Sequence, residues 1–79
     1  MLPYIYILPF GACADIFQKI TFEMQGQITV NDVLQNLYIQ YPELKNVPFQ
    51  VAINHKLVTM DTHVQPSDEL ALLPPFSGG

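Results

Sequence analysis

Apolar residues fall in short runs along this chain, and the phase of each run predicts an element. "YIYIL" at 4–8 is β-branched and aromatic without a break, the mark of a strand covered on both faces or paired centrally. Pro3 and Pro9 bound it. After the loop "GACADIFQK", the stretch "ITFEM" at 20–24 sets Ile20, Phe22 and Met24 against Thr21 and Glu23, which predicts a strand with one wet face. Gly26 marks the following turn, so residues 4–24 read as a hairpin.

The period then changes from two to about 3.6. Val30, Val33, Leu34, Leu37, Tyr38 and Tyr41 share one helical face, predicting a helix over Val30–Gln40. Thr29 with Asp32 three residues on resembles a capping box with Asp in place of Glu, and Pro42 stops the helix. "FQVAIN" at 49–54 alternates again, Asn54-His55-Lys56 turns the chain, and a short strand follows at Leu57–Thr59. Pro66-Ser67-Asp68 turns it once more into "ELALL" at 69–73. One helix can cover one face of such a sheet, and a right-handed crossover places the last strand parallel to the first at its centre. The expected fold is α+β, a β-grasp (ubiquitin-like) mixed sheet with one main helix on one face, in a single domain over 1–79 whose residues 74–79 form an extended functional tail with a flexible Gly-Gly end.

Composition adds a partner to this picture. At 79 residues, one core contributes about 3–5 kcal/mol of net stability. With 49% apolar and only 13% charged residues, some apolar surface is expected to stay exposed for another protein. The net charge is −4, and Lys19, Lys45 and Lys56 are the basic residues, with no arginine. That excludes the cationic clusters that bind nucleic acid and suits a basic partner surface. "MLPYIYILPF" has no basic flank or cleavage pattern, so no signal peptide is expected, and it is too short to cross a bilayer. The expected setting is cytoplasmic, with no membrane partner.

Few side chains suggest chemistry of their own. Cys13 has no cysteine to pair with and no zinc-ligand spacing around it, so it reads as a small buried apolar residue. His55 in a turn and His63 in a loop read as solvated, with no catalytic constellation at either. Asp61, Asp68 and Glu69 read as turn and strand-start acids that could together meet a basic groove on a partner.

What remains is "PPFSGG". Pro74 and Pro75 fix φ at two successive positions, so the chain is expected to leave the sheet stiff and extended. Phe76 is a candidate anchor, and Ser77, Gly78 and Gly79 are slender enough to enter a channel. Terminal glycines alone are ordinary chain ends. Set after this strand order and this rigid lead, they read as a functional tail whose chemical group is the Gly79 carboxylate. A carboxylate reacts only after activation, for example as an acyl-adenylate, which implies ATP and a separate enzyme. The activated carbonyl then has three fates: thioester, isopeptide or thiocarboxylate.

Residues 52–79 resemble the C-terminal half of the MoaD family, the small sulfur-carrier subunit of molybdopterin synthase. Ile53-Asn54, Leu57-Val58, Asp61, Asp68-Glu69 and Pro74 to Gly79 match its pattern in order. The Pro-Pro before Gly-Gly separates it from the thiamin carriers. One departure is Ala14 and Asp15, which stand near the family's Arg-Glu pair.

The resemblance implies a sulfur carrier in molybdenum cofactor biosynthesis, not itself an enzyme but the sulfur-donor subunit of a transferase complex. Gly79 would be adenylated by an E1-like (MoeB-type) adenylyltransferase using ATP. A donor such as a cysteine desulfurase or rhodanese would make it a thiocarboxylate, with no bound cofactor or metal. The tail from Pro74 and Pro75 through Phe76, Ser77 and Gly78 would enter a channel in the large synthase subunit. There it would give sulfur to cyclic pyranopterin monophosphate to form the molybdopterin dithiolene. Phe10, Leu57 and Leu73 fall where the family has apolar partner contacts. The alternatives are a ubiquitin-like modifier, a carrier for thiamin or tRNA thiolation, and a plain β-grasp interaction module.

Overall fold

The structure is a computed structural model that describes residues 3–75. Strands β1 (Tyr4–Pro9) and β2 (Ile20–Glu23) form the predicted hairpin. A short β3 (Ile28–Thr29) leads into helix α1 (Val30–Gln40), and β4 (Gln50–Ile53), β5 (Lys56–Leu57), β6 (His63–Val64) and β7 (Glu69–Leu73) complete the chain. Five strands form one mixed sheet in the order β2-β1-β7-β4-β5, with β7 parallel to β1 at its centre, and β3 pairs with β6 apart from it. This is the expected β-grasp.

The helix forms where the apolar stripe and its cap agree. Thr29 N–H donates to Asp32 Oδ2 at 2.9 Å while Asp32 N–H donates to Thr29 Oγ1 at 3.3 Å, closing the capping box. The next two N–H groups, of Val30 and Asn31, donate to Thr62 O and Met60 O, each at 2.9 Å. The helix start is thereby bonded to a distant loop. Val30, Val33, Leu34 and Leu37 are buried against Ile5, Ile7, Val51, Leu70 and Leu72 from the sheet. Past Pro42 the chain makes a 3-10 turn, Pro42–Asn46, which drops Leu44 into the same core.

Several features refine or depart from the expected pattern. β1 is paired on both sides but not covered on both faces, since Tyr4 and Tyr6 are 41% and 37% exposed. A single helix screens only one face, and tyrosine tolerates the other because its hydroxyl stays wet. The loop after β1 contains a 3-10 turn, Gly11–Asp15, that carries Cys13 into the core with Phe17 just beyond. Phe17 stacks on Tyr41 with ring centroids 4.8 Å apart. The strand expected at Leu57–Thr59 is instead Lys56–Leu57, because Asn54 and His55 both take left-handed φ, 50° and 74°, and bring Lys56 opposite Ile53. His63, expected in a loop, pairs with Thr29 in the small sheet.

Pro9 lies inside β1 rather than beyond it. Tyr6 N–H and Phe10 N–H donate to Asp68 O and Leu72 O, so even-numbered residues of β1 face β7 and odd-numbered ones face β2. The N–H that Pro9 lacks would point past the start of β2, so no ladder bond is lost.

Candidate functional site

The face of the sheet away from α1 holds the candidate site. In "ELALL", Leu70 and Leu72 turn inward and are fully buried, leaving Glu69, Ala71 and Leu73 on the outer face. The register sets Ala71 beside Leu8 on one side and Ala52 on the other, with Leu57 opposite Ala52. Two alanines at the centre with larger apolar residues around them leave a depression. It measures about 310 Å³ and is lined by Leu8, Phe10, Ala52, His55, Leu57, Glu69, Ala71 and Leu73. Phe10, Leu57 and Leu73 thus share one groove. Phe10 is 46% and Leu57 54% exposed, unusual for large apolar side chains, while Leu73 is half-buried.

The chain leaves this sheet beside the groove. Pro9 stands next to Leu72 in the register, and Pro74 and Pro75 follow β7 into solvent. They line a second, smaller cleft of about 150 Å³ with Phe10, Ala12, Cys13, Val47 and Pro48. Phe10 is common to both cavities, so the apolar groove and the tail exit adjoin. Phe76, Ser77, Gly78 and Gly79, the remaining tail positions, lie outside the described residues.

Gly11 sets the direction of that exit. Its φ is +57°, and a Cβ built there would stand 2.6 Å from Pro74 Cγ. The left-handed backbone and the close approach both require glycine. Gly11→Ala is therefore expected to destabilise the fold by about 1–3 kcal/mol and to push Pro74 aside. Thermal unfolding measures the first effect. The second is read by NMR as a change in the Pro74 ring-carbon shifts at a temperature where the variant is fully folded.

Asn54 fastens the groove's far edge. Its Nδ2 donates to Asp68 Oδ1 and its Oδ1 accepts from Glu69 N–H, both at 3.0 Å, while Asp68 Oδ2 accepts from Gln65 N–H at 2.8 Å. The β4–β5 turn is thereby tied to the start of β7. Of the three acids grouped from the sequence, only Glu69 lines the groove. Asp68 is held in the Asn54 network, and the Asp61 carboxylate accepts from Thr59 Oγ1, which holds its pKa below the usual carboxylate range.

Leu8, Ala52, Ala71 and His55 were not among the partner-contact positions read from the sequence, whereas Glu69 was, as one of the three grouped acids. The outward phase of "ELALL" was legible, but the neighbours of each strand follow from register, which one sequence does not print. Cys13 is 1% exposed, and burial pushes its thiol pKa up; it is held as a thiol, the unreactive form. Among the described residues no three His, Cys, Asp or Glu side chains gather to hold a metal.

Comparison with known proteins agrees with this architecture. The sequence profile of the ThiS family matches residues 8–79. A molybdopterin synthase sulfur carrier subunit of Arabidopsis thaliana is 37% identical over 62 residues, which cover 76% of this chain and 65% of that protein. The chain thus spans under two thirds of that relative's length. In three dimensions the crystal structure of small archaeal modifier protein 1 from Haloferax volcanii superposes with a TM-score of 0.79 at 25% identity, over 96% of this chain and 99% of the other. A putative molybdopterin converting factor subunit 1 from Pyrococcus furiosus gives a TM-score of 0.85 at 14% identity, over 94% and 99%. At that identity the last likeness speaks for the fold alone.

Proposed function

Because this chain belongs to the ThiS family, we propose that it is a sulfur carrier serving molybdenum cofactor synthesis, with Gly79 as the residue that carries the sulfur. The observation that supports this reading most is the adjacency of groove and exit through Phe10. A protein docked on the apolar face receives the tail in its own active site. The catalytic groups belong to that partner, a large synthase subunit, and this chain supplies docking surface, direction and one reactive carbonyl.

The chemistry proceeds in three steps. A carboxylate oxygen of Gly79 attacks the α-phosphate of ATP and expels pyrophosphate, giving an acyl-adenylate. The outer sulfur of a donor's cysteine persulfide adds to the carbonyl and expels AMP, and a second thiol then attacks the inner sulfur of the acyl disulfide, releasing a thiocarboxylate and leaving a disulfide on the donor side. That anion is a nucleophile: within the synthase its sulfur bonds to a carbon of the pterin precursor and displaces an oxygen leaving group there, and hydrolysis of the resulting thioester leaves the thiol on the pterin and returns the Gly79 carboxylate. An E1-like adenylyltransferase and a sulfur donor of the desulfurase or rhodanese kind are the partners this sequence of steps requires. Entry of a slim tail into a channel costs least when its root is already stiff, which is what Pro74 and Pro75 contribute.

A second reading is favoured by the 25% identity with an archaeal modifier protein: Gly79 joined to lysines of other proteins. The two fates have opposite reactivity, nucleophile against electrophile. Incubated with an E1-like enzyme, ATP and a sulfur source, the protein is expected to gain the mass of one oxygen-for-sulfur exchange at Gly79, read by intact mass spectrometry. Lysine conjugates without any sulfur exchange would replace the carrier reading with the modifier one.

A further inference from the structure

β2 is the outermost strand of the five-stranded sheet, and among the described residues nothing pairs with its outer side. The phase of its ladder is fixed by two bonds: Met24 N–H donates to Pro3 O at 2.9 Å, and Tyr6 N–H donates to Asp68 O on the opposite side of β1. With Ile5 opposite Phe22 and Ile7 opposite Ile20, those pairs hold the β1–β2 bonds. Thr21 and Glu23 therefore aim their N–H and C=O groups outward, as an unfilled template for one more strand. Beside this edge runs a groove of about 500 Å³ between β2 and α1. Half-buried Phe22 and Ile28 give it an apolar floor, Asn36 and Gln40 a polar far wall, and Asp32 its charge, while Glu23, cross-strand from Tyr4, carries a second acid on the other face of the same edge. No lysine lines it, and Lys19, at the foot of β2, instead holds its Nζ 5.6 Å from the Tyr6 ring centroid on the outer face.

We propose that this edge and groove bind an extended peptide segment of a partner protein, which adds as a strand to β2 and carries lysine or arginine on both of its faces, one against Asp32 in the groove and one against Glu23 on the outer face. Main-chain bonds to Thr21 and Glu23 supply affinity, and alternate side chains of the peptide drop towards Phe22 and Ile28. Charge decides the occupant. A second copy paired edge to edge would bring Glu23 and Asp32 of both chains together in a protein of net charge −4, whereas a basic segment neutralises them. This surface lies on another part of the molecule from the groove around Phe10 and does not depend on the tail chemistry.

The test is a titration of the isotopically labelled protein with the capped peptide Lys-Val-Thr-Val-Thr-Lys, followed by amide NMR, with the same peptide carrying Glu for Lys as control. Saturable shifts are expected at Thr21 to Gln25, Asn36 and Gln40. Hydrogen exchange at Thr21 and Glu23 is expected to slow about tenfold when peptide is in tenfold excess over its Kd. Glu23→Lys sits on an exposed position that should not disturb folding; it is expected to weaken the Lys-flanked peptide about tenfold and to favour the Glu-flanked one. Absence of shifts at millimolar peptide, equal response to both peptides, or shifts centred on Phe10 and Leu57 would overturn the proposal. So would concentration-dependent self-association of the free protein through the same amides, which would make the occupant a second copy.

Discussion

A variant lacking Gly79 is expected to fold like the parent and to transfer no sulfur. A variant with one residue added after it should behave the same way. Among the described residues the last buried one is Leu72, and stability is expected to move within about 0.5 kcal/mol. The effect on chemistry is far larger. One residue of extended chain spans about 3.5 Å, which is as long as the whole separation between reacting atoms in a productive encounter. A misplacement of about 1 Å already costs on the order of a hundredfold in rate, so shifting the terminal carbonyl by a residue takes transfer below detection. The comparison is thermal unfolding against single-turnover sulfur transfer with the assembled synthase. Transfer retained by either variant would remove Gly79 from its proposed role.

Leu57→Glu is expected to weaken association with the large subunit by about 2 kcal/mol, or roughly thirtyfold in Kd, with little loss of fold stability. Leu57 is the better probe than Phe10, because Phe10 also lines the cleft at the tail exit and would report on both. In the free protein Leu57 is 54% exposed on a two-residue edge strand, so a charge there remains hydrated. In a complex the same charge would be pressed onto Ala52 and Leu73 beneath an apolar partner, without a counter-ion. Isothermal titration with the purified large subunit measures the change. An unaltered Kd would place the docking surface elsewhere, and a variant that unfolds would return Leu57 to the core.

Helix α1, the first hairpin and the parallel pairing of the outer strands in sequence were all legible, because each rests on a run of residues long enough to show a period. The cap was legible too, since Thr29 and Asp32 are three apart and need no distant partner. β3 and β6 escaped notice because two residues carry no period, and they form only when Ile28 meets Val64 across the chain. For the site, Phe10, Leu57 and Leu73 were chosen one by one from resemblance. What the sequence withheld was the floor between them: Ala52 and Ala71 look unremarkable until register sets them side by side. Gly11 was read as part of a loop, and only its approach to Pro74 explains why it is glycine.

The parallel pairing of β1 with β7 also constrains how the protein is made. β1 is the first strand to be synthesised and β7 the last of the sheet, and β7 sits between β1 and β4. Until β7 emerges from the ribosome, the hairpin and the β4–β5 pair have no common neighbour, and the core lacks Leu70 and Leu72. Such non-local closure is slow and leaves apolar surface uncovered while it is pending. The strand that completes the sheet is also the strand that launches the tail. A nascent or truncated chain without β7 therefore has neither a finished core nor a strand from which the tail can leave, so under the proposed function an activating enzyme that reads the folded surface would meet only finished molecules.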